Sequence, residues 1–276
     1  MKRALLTATL LLSALPLFAQ IRTPRPSPKA SVLQAIGVTD VTILYSRPGV
    51  KGRPIWGTLV PWDKVWRTGA NEATAITFSN DVTVEGQKLA AGTYALATIP
   101  TANEWTLIFN SDANQWGAFS YDEKKDVLRV KVKPQAADFR EWMTFEVPEI
   151  SADSAKIVLR WEKIAVPFTV ATDTKSNTMA GIRTSLGAAK PDDWRIRYNA
   201  ANYAWNNGNA ADAQKWLDES LKINENVRNL WLKAQMQAKA GDKTAAKATA
   251  AAALAKATDA DKDFVAQVKK DLEGWK

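Results

Sequence analysis

The sequence predicts a multidomain chain in two parts, an all-β unit followed by an all-α one. The first is an antiparallel β-sandwich of jelly-roll type, the second an array of paired helices. Three observations predict it. Between Ser31 and Val170 apolar residues recur at every second position in short runs split by Gly, Asn, Asp or Pro, the pattern of half-buried strands. No run of helical period interrupts them, which argues against βαβ units and a parallel sheet. From Pro191 the apolar period lengthens to that of helices, and Gly208 and Gly241 stand 33 positions apart.

The elements follow in order. Lys2 and Arg3 precede an apolar run from Ala4 to Leu15, and Ala19 closes the segment. A basic start, a short apolar core and a small final residue make residues 1–19 a signal peptide cut after Ala19. A membrane span needs about 20 apolar residues, more than this run supplies. The expected location is the periplasm of a bacterium, with secretion as the alternative, and the chain is not expected to span a membrane. Residues 20–29 form a basic, Pro-rich lead-in carrying Pro24, Pro26 and Pro28.

Residues 30–171 hold the strands. Val41, Ile43 and Tyr45 alternate with polar neighbours, and further runs lie at 74–78, 82–84, 93–99, 105–109, 127–132, 142–147 and 157–161. Glu85-Gly86-Gln87 reads as a hairpin turn and Ala91-Gly92 as another. A closed barrel would leave the same alternation. Residues 172–190 are small and polar, the composition of a linker. Residues 191–276 are the helical domain. Pro191, Asp192 and Asp193 mark a helix start, because Pro fits the first turn and carboxylates favour the positive end of the dipole. Successive helices are expected to 207, over 209–223 and 227–240, from about 242, and through Phe264, Val268, Leu272 and Trp275. At the 33-residue offset Ala201 matches Ala234, Ala213 matches Ala246 and Leu221 matches Leu254. Small residues where helices cross, with Gly between them, resemble the tetratricopeptide repeat.

Composition removes whole classes of chemistry. The 276 residues include neither His nor Cys, so imidazole-based nucleophile triads, imidazole metal sites, disulfides and thiolate sites are excluded. No cofactor and no metal site is expected. The net charge of +8 is spread without a basic stripe, so no nucleic-acid partner is expected.

Two segments concentrate polar and aromatic residues. The first, from Tyr45 to Ala73, carries Arg47, Lys51, Arg53, Trp56, Trp62, Trp66, Arg67, Asn71 and Glu72. It is longer than a connector needs, and long loops are usually functional or disordered. Three Trp residues argue against disorder, since their rings would stay in water. Trp faces stack on sugars, and Arg offers a planar fork to carboxylate or phosphate, so a glycan or an anionic small ligand fits. As scaffold, the same Trp residues would plug the end of the sandwich, with Arg67 paired to Glu72 or Asp63. The second segment, Asn110 to Asp126, adds Trp116 and Tyr121, with Trp116 expected over the sheet. Its alternating Asn110, Asp112 and Asn114 do not satisfy a calcium loop.

The motifs RPSPKAS (25–31), YSRPGVKGR (45–53), VPWDKVWRTGANEAT (60–74), AGTYAL (91–96) and QWGAFSYD (115–122) resemble an exported bacterial family known as "domain of unknown function 2911". The resemblance covers about residues 24–170. It implies export and an all-β domain, often followed by helical repeats, and it brings no activity or catalytic residue.

The function expected from these features is non-catalytic binding: a rim site on the sandwich for an unidentified ligand, and helical repeats that dock a protein or peptide partner. The alternative is a hydrolase or lyase of polysaccharide or cell-wall material that uses paired carboxylates. Glu72 with Asp63, or either of them with Glu123, would supply the pair about 5–9.5 Å apart, provided the two dense segments meet.

Overall fold

The computed structural model describes residues 23–275; the expected signal peptide lies outside them. The N-terminal part is built of antiparallel β-structure and the C-terminal part of six helices. The strands are β1 (Lys29–Ile36), β2 (Thr39–Ser46), β3 (Thr74–Phe78), β4 (Val82–Val84), β5 (Gln87–Leu89), β6 (Gly92–Ile99), β7 (Trp105–Asn110), β8 (Asp126–Val132), β9 (Gln135–Ile150) and β10 (Ser154–Ala171). They form a six-stranded sheet in the order β1-β2-β3-β6-β7-β8 and a four-stranded sheet in the order β5-β4-β10-β9.

Alternation in the sequence becomes one wet and one dry face. Val41, Ile43 and Tyr45 of β2 are buried, as are Thr74, Ile76 and Phe78 of β3. Both sheets contribute to one apolar core: Phe78, Leu96 and Trp105 come from the larger, Met143, Trp161 and Phe168 from the smaller. The Glu85-Gly86 turn forms as expected. Both residues have positive φ (48° and 79°) between the paired Val84 and Gln87, the geometry that matches strand twist in a two-residue hairpin.

The last two strands are far longer than the apolar runs 142–147 and 157–161 suggested. The register shifts between Lys156 and Val158, between Arg160 and Glu162 and between Glu162 and Ile164. Such bulges let a long ribbon curve while its pairing continues.

The helices are α1 (Thr174–Ala188), α2 (Trp194–Asn206), α3 (Ala210–Ile223), α4 (Val227–Lys239), α5 (Lys243–Ala255) and α6 (Lys262–Glu273). Side chains of Asp193, Asn209, Asn226 and Asp242 accept hydrogen bonds from first-turn amides of α2 to α5, satisfying donors that have no intrahelical partner. Gly208 and Gly241, 33 apart, both turn the chain at positive φ (77° and 91°). Ala201 and Ala213, and their counterparts Ala234 and Ala246, are fully buried.

Residues 172–190 are mostly a helix, α1, rather than a linker. Met179, Ile182 and Leu186 form its narrow apolar stripe and pack with α2 and α3. Tertiary packing therefore outweighs the weak propensity of its Thr, Ser and Gly residues.

α1 also ties the two parts together. The Thr39 and Thr172 hydroxyls lie 2.9 Å apart, and the Asn177 amide donates to both. The Thr174 hydroxyl donates to the carbonyl of Ala152. Gly37, at the β1–β2 turn with φ 58°, lies so close to the Thr174 side chain that any Cβ would overlap it.

Candidate functional site

The long segment between β2 and β3 is ordered by its own backbone. Val50 N–H donates to the Glu141 carbonyl and Met143 N–H to the Pro48 carbonyl, so residues 48–50 run along β9. Further on, Trp66 exchanges both backbone hydrogen bonds with Thr98 of β6 (2.7 and 2.8 Å). These anchors carry Trp56 and Trp66 inward, where they meet Trp105 and Trp161 from the two sheets. Ring centroids lie 5.1–6.3 Å apart: Trp66 stacks on Trp161, and Trp56 meets Trp66, Trp105 and Trp161 edge to face. In such crossings the positive ring edge faces the negative ring face. Trp62 stacks outside, on Trp56, at 6.3 Å.

The segment also stores backbone strain. Lys51, Asp63, Thr68 and Asn71 have φ between 50° and 58°. Thr68 is the costliest, because a β-branched side chain is rare in that region. Its buried hydroxyl donates to Thr98 Oγ1 at 3.2 Å, one of the contacts that hold it there.

The two dense segments meet. Ala73 N–H donates to the Gln115 carbonyl at 2.9 Å, and Gly117 N–H to the Asn71 carbonyl at 3.0 Å. Glu72 thus lies bridged to Trp116. A third segment joins them. Arg25 grips Glu72 with two hydrogen bonds of 2.7 and 3.0 Å, and the Lys29 ammonium is 3.1 Å from the same carboxylate. The Asn71 amide donates to the Ser27 carbonyl, and Arg47 N–H to the Pro28 carbonyl. The lead-in is therefore a strap across the rim. Its role escaped sequence reasoning, although Arg25 and Lys29 in a Pro-stiffened segment were the available signal.

Glu72 is held ionised. Partial burial pulls its carboxyl upward, but the Arg25 hydrogen bond, a backbone hydrogen bond and Lys29 outweigh it and bring its pKa down to about 2. Tyr121 moves the other way, to about 12. Burial raises it first, and the hydrogen bond to Asp126 (2.6 Å) raises it further, against a 2.7 Å contact from Arg129. That trio closes the far end of the second segment.

The remaining candidates divide. The Arg47 guanidinium donates to the Met143 carbonyl at 2.8 Å, and Arg53 folds back on the carbonyls of Val50 and Gly49. Both serve the backbone. Lys51 is exposed, 5.9 Å from the Trp142 ring. Arg67 is half-buried and pairs with neither Glu72 nor Asp63, contrary to the scaffold expectation; the partners of Glu72 come from the lead-in instead. Burial lowers the Arg67 pKa, and its Nε donates to nothing among the described residues. Trp116, expected over the sheet, is 59% exposed, and nearby Phe119 is 91% exposed. Among the described residues no cluster of three carboxylates suited to a metal ion occurs, and no helix is long and apolar enough to cross a membrane.

A family described as "Protein of unknown function (DUF2911)" matches residues 27–170, just over half of the chain. The chain belongs to the DUF2911 family. The match spans both dense segments and every strand from β1 to β9. It ends within β10, before the helices begin. No curated protein and no solved structure matches the chain.

Proposed function

We propose that this DUF2911 protein is an exported, non-catalytic binding protein of the periplasm, or secreted beyond it. In this reading the two sheets are a sandwich whose rim takes a glycan or an anionic small ligand, and the helices are tetratricopeptide-like repeats that dock a partner. The observation that carries it is the exposure of Trp116 and Phe119 on a turn that hydrogen bonds hold against Asn71 and Ala73. An aromatic ring kept in water forgoes roughly 1.5–3 kcal/mol of burial. Two such rings on a fixed turn, beside the ionised Glu72 and its two cations, suit a surface that a ligand covers.

Hydrolysis of a glycosidic bond draws less support from the same site. It needs a carboxylic acid whose pKa is raised enough to protonate a leaving group, and Glu72 is displaced in the opposite direction.

The test is a thermal-shift screen of the mature protein against glycans, peptidoglycan fragments and anionic metabolites, repeated with a W116A/F119A double variant. One class is expected to raise the melting temperature of the wild type by mass action and to leave the variant unmoved. Equal shifts in both proteins, or turnover of any compound in the screen, would overturn the reading.

A further inference from the structure

We propose that the groove at the end of the helical array binds an extended acidic peptide through Lys243, Lys247 and Trp275. This names the chemistry of the partner in the reading above and rests on its helical half, independently of the rim.

α4, α5 and the end of α6 surround a cavity of about 440 Å³ whose lining includes Trp231, Lys239, Lys243, Lys247, Asp271 and Trp275. That volume falls within the roughly 300–1,000 Å³ of ligand sites. Trp231 is buried and Trp275 half-buried, and their rings stack at 5.0 Å with 14° between planes. The outer indole therefore has a rigid backing and keeps part of its surface in the groove.

Lysines outnumber carboxylates in the groove lining by three to one. Lys239, Lys243 and Lys247 are exposed, and among the described residues none is in an ion pair. The lining carboxylate of Asp271 is engaged by the Gln267 amide at 2.7 Å. The chain itself draws the lysines together. Lys239 ends α4 and Lys243 begins α5, with Gly241 turning between them, and Lys247 lies one helical turn further on. Like charges four apart on a helix repel, a cost that an anionic ligand would turn into attraction.

Spacing selects the ligand. Cβ atoms at i and i+4 of a helix are about 5–6 Å apart, and alternate residues of an extended chain about 6.6 Å. Carboxylates at alternate positions of a peptide therefore reach Lys243 and Lys247 together, leaving the intervening apolar side chain for the indole of Trp275. Lys239, 5.1 Å from the Trp205 ring, extends the positive edge. A free dicarboxylate offers the same charges without the apolar side chain.

The experiment titrates a fluorescein-labelled peptide of alternating Glu and Phe into the full chain at low and high salt. A Gln–Phe peptide and free glutarate serve as comparators. The Glu–Phe peptide is expected to bind, more weakly as salt rises, and to lose about tenfold or more in affinity in K243E/K247E. Both lysines are exposed, so melting of that variant is expected to match wild type; should it not, K247Q is read in its place. Equal affinity for the Gln–Phe peptide, glutarate binding as tight as the peptide, or an affinity unmoved by the lysine changes would each overturn the proposal. W116A/F119A is expected to bind the peptide normally, which separates failure at the groove from failure at the rim.

Discussion

The two halves of the chain build their interiors from opposite materials. The β half centres on large rings: Trp105, Trp161, Phe78, Phe109 and Phe168 are almost wholly buried, and pairings such as β2 with β3 join distant parts of the chain. In the helical half the fully buried residues are mostly Ala, among them Ala201, Ala204, Ala213, Ala234, Ala246 and Ala253. Rings gain stability from the apolar area each one removes from water. Alanines contribute little area but let helix axes approach closely, so that half depends on the absence of side-chain bulk. The difference predicts which kind of substitution each half resists.

The sharpest break in this contrast is Trp161→Ala. It leaves a cavity among Trp56, Trp66 and Trp105 and is expected to cost about 3–5 kcal/mol in denaturant unfolding. A cost under 1 kcal/mol would mean that the ring cluster is not the keystone of the β half. In the helical half the damaging change goes the other way: Ala213→Leu overpacks the α2–α3 crossing and should cost about 1–3 kcal/mol, read as lost helical ellipticity at lower denaturant. Asn229→Ala tests the junctions between helices. The Asn229 amide donates to Ser220 and to the Asn224 carbonyl, and its oxygen accepts from Asn226 N–H, so its loss should cost about 1–2 kcal/mol.

The smallest effect belongs to the strap. Glu72→Gln should cost about 1 kcal/mol at neutral pH, because its side chain is a third exposed and solvent screens the pairs. The folded-state pKa, about 2, lies below the ordinary carboxylate value. The stabilisation is therefore fully present above about pH 4.5 and is lost as pH falls towards 2. Wild type and Glu72→Gln melting curves should converge over that window. A gap that persists at pH 2 would assign the effect to packing.

Much of this contrast was legible in the residues, and its limits are physical. The strand runs, the Glu85-Gly86 turn and the helix caps at Asp193, Asn209 and Asp242 follow from local rules of alternation, positive φ and orphan amides. α1 was hidden because its apolar stripe is only three residues wide, and a neighbour had to supply the rest of the packing. The candidate site was half legible. Asn71, Glu72, Trp116 and Tyr121 were named, yet Arg25 and Lys29 were not, because an ion pair spanning 47 residues leaves no periodic trace.

Taken alone, the sequence determined the two-part organisation, the kinds of elements and the exclusion of imidazole and thiol chemistry, since these depend on residue type and short-range spacing. Only the tertiary structure decided that Trp56 and Trp66 turn inward, that Glu72 answers to the lead-in, and that Trp116 and Phe119 remain in water. Those outcomes depend on which distant segments come within a few ångströms of one another, and long-range pairing is a property of the folded chain as a whole.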